Sequence, residues 1–142
     1  MIPYVRDIKF EYGKVDQVSP LIRRVIANNP GPFTFTGTGT YIIGKGEGVA
    51  VIDPGPDQPE HLQAILDAVA GETVTHILIT HHHSDHSPLA RPLAAKTGAT
   101  IYGCATGRAR CTHMSPHSSP REWAECRSKI SPWKACGAAS RH

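Results

Sequence analysis

The sequence predicts an α/β layer over residues 1–104 and an irregular tail over residues 105–142. Two observations carry this prediction. Between Thr40 and Tyr102 the chain reads strand, strand, helix, strand, helix, strand, the order of an α/β layer. Near residue 104 the composition then breaks. Residues 1–104 hold eight Lys/Arg against ten Asp/Glu, a net of −2, whereas residues 105–142 hold seven against two, a net of +5.

Taken in order, Val5 to Tyr12 alternates loosely and is a candidate strand, and Leu21 to Ile26 is a second. Asn28-Asn29-Pro30-Gly31-Pro32 is a loop signal. Thr40-Tyr41-Ile42-Ile43 and Val49-Ala50-Val51-Ile52 flank the glycine-rich Gly44-Lys45-Gly46-Glu47-Gly48, a hairpin signature that Asp53-Pro54-Gly55-Pro56 ends abruptly. A helix follows, with Asp57 as its cap, Glu60 three residues later and Pro59 in the tolerated first turn. Leu62, Ile65, Leu66 and Val69 form its apolar stripe and Gly71 closes it. Val74 to Thr80 is a nearly unbroken apolar, β-branched run, as expected of a strand buried on both faces. Ser87-Pro88 opens a second helix that runs to about Lys96, takes Pro92 in or just after its first turn and stops at Gly98. Ala99 to Tyr102 is a short closing strand.

A length of 142 residues is that of one domain, and a hydrophobic fraction of 39% argues against a highly charged disordered chain. No stretch approaches the roughly 20 apolar residues of a membrane span. Met1 to Phe10 mixes Arg6, Asp7 and Lys9 with apolar residues and lacks the continuous apolar core of a secretory signal, so a soluble, cytoplasmic protein without a membrane partner is the expectation. The tail holds three of the four Cys and both Trp, and Ile130 is its sole Val, Ile, Leu or Phe. Such a segment has little to bury.

The segment that carries chemistry is Thr80-His81-His82-His83-Ser84-Asp85-His86. It follows the C-terminal end of a predicted strand and precedes a helix, where α/β proteins place their sites. In extended backbone His81 and His83 point to one side. Two imidazoles on one side supply half of a tetrahedral zinc site. Asp85 and His86 fall where the chain turns and can reach a second ion, and paired metals suit hydrolysis. A solvated loop is the plainer reading of a His run, but the inclusion of Asp85 and the position behind a strand favour metal. His82 is expected to point away from the ions.

At these residues the sequence resembles the metallo-β-lactamase fold superfamily, whose His-x-His-x-Asp-His motif matches residues 81–86. Val51-Ile52-Asp53-Pro54-Gly55 resembles its strand ending in aspartate and glycine. Asn29-Pro30-Gly31-Pro32-Phe33-Thr34, followed by Gly37-Thr38-Gly39-Thr40-Tyr41-Ile42-Ile43-Gly44, is similar to the β-lactamase-like protein 2 branch, which includes a metal-dependent endoribonuclease. The resemblance covers about residues 20–104. It implies the N-terminal half of an αββα sandwich and a hydrolase using a metal-activated water, with His81 and His83 on a first zinc, Asp85 and His86 on a second, and Asp85 also helping to orient or deprotonate the water. It further implies Asp53 as a partner orienting the ligands, a role equally compatible with capping the turn before Pro54, and a supporting hydroxyl at Thr80. The substrate is left open between a phosphodiester such as RNA, a thioester and a lactam.

The family's second half supplies a third His for the first zinc, an Asp bridging both ions and a last His. No such context follows Gly103-Cys104 here, and the Asp residues are 7, 16, 53, 57, 67 and 85. The expectation is therefore a partial domain at 1–104, and a tail at 105–142 not native to the family, as translation out of frame would produce. A truncated, non-catalytic fragment that binds metal weakly or needs a partner chain is the alternative to the hydrolase. An uncovered sheet face also predicts self-association. For the tail, zinc binding by Cys111, His113, His117, Cys126 and Cys136 fits no standard spacing. Nucleic-acid contact through Trp123 and Trp133 is weaker than a solvated tail, and Cys104 reads as a small buried residue.

Overall fold

The computed structural model describes residues 9–103 and the backbone of 112–114. Seven strands form one sheet whose spatial order follows the chain. β1 (Val15–Ser19), β2 (Ile22–Ile26), β3 (Gly39–Ile43) and β4 (Val49–Ile52) run antiparallel to one another in succession. β4, β5 (Val74–Ile79) and β6 (Thr100–Gly103) are parallel, linked by α1 (Pro59–Ala68) and α2 (Ala90–Thr97). β7 (Thr112–Met114) returns antiparallel on β6, within the stretch expected to be irregular.

The pleat sorts side chains to two faces. Ile42, Val51, Ile77 and Ile101 are register partners across four strands and at most 1% exposed. They meet Ile65 and Val69 of the α1 segment and Leu93 and Ala94 of α2, so both helices cover one face. Each fully buried Ile or Leu contributes roughly 1.5–3 kcal/mol. Arg23 of β2 fastens the end of α1: its guanidinium donates to the Ala68 carbonyl at 2.7 Å and pairs with Glu72 at 2.6 Å. A cation at this helix end satisfies an orphan carbonyl and complements the dipole. The neighbouring rows, Tyr41–Ile52–Leu78–Tyr102 and Ile43–Ala50–His76, lie on the opposite face. Tyr41 and Ile43 there are 38% and 37% exposed.

Several expectations change. β5 is not buried on both faces among the described residues: Val74 and Ile77 are buried, but His76 on the face away from the helices is exposed. The helix cap is Gln58 rather than Asp57, because a residue before proline is held extended (φ −126°, ψ 112°) and α1 can start only at Pro59. Its buried stripe is rotated to His61, Ala64, Ile65 and Val69, with Leu62 and Leu66 partly buried. α2 begins at Ala90 instead of Ser87, since the backbone N–H groups of His86 and Ser87 both turn back to the His83 carbonyl. Pro92 sits in its first turn, and Gly98 (φ 74°) ends it as predicted. Residues 9–12 form no strand, so the predicted Val5–Tyr12 strand fails in that portion, and its remainder lies outside the described residues. β1 was not anticipated. The tail's cysteines, Trp123 and Trp133 also lie outside the described residues.

Candidate metal centre

Parallel pairing of β4 and β5 brings their C-terminal ends to one edge of the sheet. The Asp53 N–H donates to the Leu78 carbonyl at 2.9 Å, which places Asp53 beside Thr80. Asp53 is 6% exposed and left-handed (φ 48°), a conformation a non-glycine residue keeps only when its surroundings enforce it. The enforcing contacts are visible. Asp53 Oδ1 accepts from the Thr80 N–H at 2.8 Å, and Oδ2 accepts from the Thr80 hydroxyl at 2.5 Å and from His86 Nδ1 at 3.1 Å.

These bonds decide the tautomer of His81. Because the Thr80 hydroxyl gives its single proton to Asp53, Thr80 Oγ1 accepts from His81 Nδ1, 2.9 Å away. His81 is thereby Nδ1–H with its Nε2 lone pair free. His86 lies between two carboxylates, with Nδ1 3.1 Å from Asp53 Oδ2 and Nε2 3.2 Å from Asp85 Oδ2. A neutral ring can donate to only one of two flanking carboxylates. The nitrogen left without a proton then faces a carboxylate oxygen, a pairing that a cation, whether a second proton or a metal ion, relieves. Burial lowers the His81 pKa, and the neighbouring His86 and His83 push it the same way against Asp53 and Asp85, which keeps that ring neutral, the form that ligates.

The ring centroids of His81 and His86 are 4.1 Å apart, and those of His81 and His83 are 4.6 Å apart. Asp53, His81 and His86 each offer a donor within 4.8 Å of the others. Asp53 already accepts three hydrogen bonds, so its chemistry is that of an orienting partner rather than a free ligand. His83 and Asp85 stand outside this tightest group, and His82 is adjacent to His83, with ring centroids 5.3 Å apart. Asp85 is braced from the other side: Thr38 Oγ1 donates to its Oδ2 at 3.5 Å while accepting from Asn29 Nδ2 at 3.0 Å.

A family model described as the metallo-beta-lactamase superfamily matches residues 34–118. The chain belongs to that superfamily. The matched span runs past Cys104, beyond the motifs of residues 20–104, and takes in β7. Among superfamily relatives, the chain is 40% identical over 75 residues to a lactamase-like protein of Pestalotiopsis microspora, covering 51% of this chain and 23% of that one. It is 39% identical over 79 residues to an atrochrysone carboxyl ACP thioesterase of Passalora fulva, covering 54% and 24%. A solved beta-lactamase domain protein from Burkholderia ambifaria has the same fold at a TM-score of 0.54 and 24% identity, over 69% of this chain and 33% of the other. The chain thus spans about a quarter of the length of the curated relatives it matches.

Three residues of this superfamily chain escaped the sequence reading: Thr38 and Thr40, quoted only as part of a motif, and His61. His61 lies four residues before Ile65, a spacing that Leu62 and Leu66 offer equally, so the sequence carries no signal that singles it out.

Proposed function

We propose that the chain carries the metal-binding loop of a zinc-dependent hydrolase acting on acyl thioesters. The observation that supports this best is that Asp53 engages both imidazoles, His86 directly and His81 through the Thr80 hydroxyl, and that these three residues offer donor atoms within 4.8 Å of one another. His81 and His83 would hold one zinc, and Asp85 and His86 a second. The chemistry such ions supply is ionisation of a water near neutral pH and neutralisation of charge at the attacked group. Asp53 orients the rings through Nδ1. Asp85, held through Oδ2 by Thr38, keeps Oδ1 to orient or deprotonate the attacking water. The thioester class is favoured over RNA or a lactam because relatives near 40% identity over this region are named thioesterases.

The test is hydrolysis of a short acyl thioester, an RNA oligonucleotide and a lactam by the full chain with zinc, with His83→Ala as control. Thioester turnover lost in the variant supports the reading, and turnover equal in both opposes it. Metal binding without turnover is a second reading, favoured by the small donor group gathered among the described residues, Asp53, His81 and His86, of which Asp53 already accepts three hydrogen bonds. Zinc uptake with no hydrolysis of any substrate would select it. The face around Tyr41 and Ile43, uncovered among the described residues, belongs to the same proposal as a self-association surface, to be read by sedimentation at several concentrations.

A further inference from the structure

Among the described residues the buried polar side chains are Thr38, Thr40, Asp53 and His61, and three of these form one hydrogen-bonded line. Thr40 Oγ1 donates to the Asp53 carbonyl at 2.8 Å. The 2.8 Å contact of the same oxygen with His61 Nε2 therefore runs the other way, from Nε2–H to the hydroxyl oxygen. His61 Nδ1 is left as a buried acceptor with no partner. That is unfavourable, and an apolar side chain of similar volume would avoid it, so packing alone does not explain a histidine here.

The turn above the imidazole is held from both sides. Asp53 and Gly55 both have positive φ, 48° and 98°. A Cβ on Gly55 would lie 2.9 Å from His61 Cδ2 and 3.0 Å from Nε2, so the turn rests on the ring. From the other side the Gly55 N–H donates to the His86 carbonyl at 3.0 Å, and His86 Nδ1 reaches Asp53 Oδ2.

We propose that His61 and Thr40 are positioning residues for the metal centre. Through the Asp53 carbonyl they hold the Asp53–Gly55 turn in its left-handed form, and through that turn they fix the tautomer and direction of His86. This rests on the reading of residues 81–86 as a metal centre, and the test separates the two. The variants are Thr40→Val, His61→Phe and His61→Gln in the full chain, whose amide nitrogen in the Gln variant stands near Nε2. Nitrogen NMR of labelled histidine, read without metal above the imidazole range, reports the His86 tautomer, and cobalt(II) titration reports affinity. In Thr40→Val and His61→Phe, His86 shifts toward its Nε2–H form and cobalt affinity falls by about 10-fold or more. His61→Gln restores both. Lower thermal stability with an unchanged His86 tautomer overturns the proposal. If His61→Phe fails to fold, Thr40→Val, nearly the same shape without the hydroxyl, decides it. A wild-type chain that takes up no cobalt refutes the metal reading instead, and the tautomer shift still decides the relay.

Discussion

Replacing His61 by Phe is expected to remove a pH-dependent part of the chain's stability. His61 is 3% exposed, and burial lowers its pKa from 6.5 to about 4. As pH falls below 6.5 the unfolded chain takes up a proton that the folded ring refuses until about pH 4. Stability from this residue is complete above the window, declines through it and levels off below it. At about 1.36 kcal/mol per pH unit the accumulated loss is about 3 kcal/mol. Other histidines titrate in the same range, so the quantity to measure is the difference between wild type and His61→Phe in urea unfolding free energy across this range. That difference should move in favour of the variant as pH drops, with a slope approaching one proton. A difference that is flat with pH would refute the argument, because it would mean that His61 is protonated alike in both states.

Other substitutions probe the fold and the site separately. Gly37→Ala would place a Cβ 2.0 Å from the Ala27 carbonyl oxygen at φ 132°, and a lowered urea midpoint, by more than about 2 kcal/mol of stability, is expected. Ile65→Ala, at a fully buried position, should cost about 2–5 kcal/mol in the same assay, whereas the partly buried Leu66→Ala should cost less. Asp53→Asn turns an acceptor of three hydrogen bonds into a group that also donates. A loss of zinc affinity of about 10–100-fold, measured against a chromophoric chelator, is expected.

The site was more legible than its support. His81, His83, Asp85 and His86 stand together in six residues, so a local pattern exposes them. Asp53 and Thr80 mark the ends of two strands whose hydrophobic runs are plain. The Thr40–His61 line joins residues 21 apart through tertiary packing, and nothing local distinguishes His61 from a surface histidine on a helix. The same limit explains the rotated α1 stripe: Leu62 and Leu66 satisfy the helical period as well as His61 and Ile65 do, and only the direction of the sheet selects between them. β1 was missed because its sequence, Val-Asp-Gln-Val-Ser, has little apolar content and is stabilised by pairing with β2. The apolar run of β5 misled for the opposite reason, since its outward face is uncovered among the described residues.

Zinc content of the full chain after gel filtration, compared with a His81→Ala/His86→Ala double variant of confirmed fold, bears most directly on the centre. The account predicts zinc retained by the wild type and lost by the variant. Equal zinc in both, or none in the wild type at concentrations that saturate the loop's imidazoles, would contradict it.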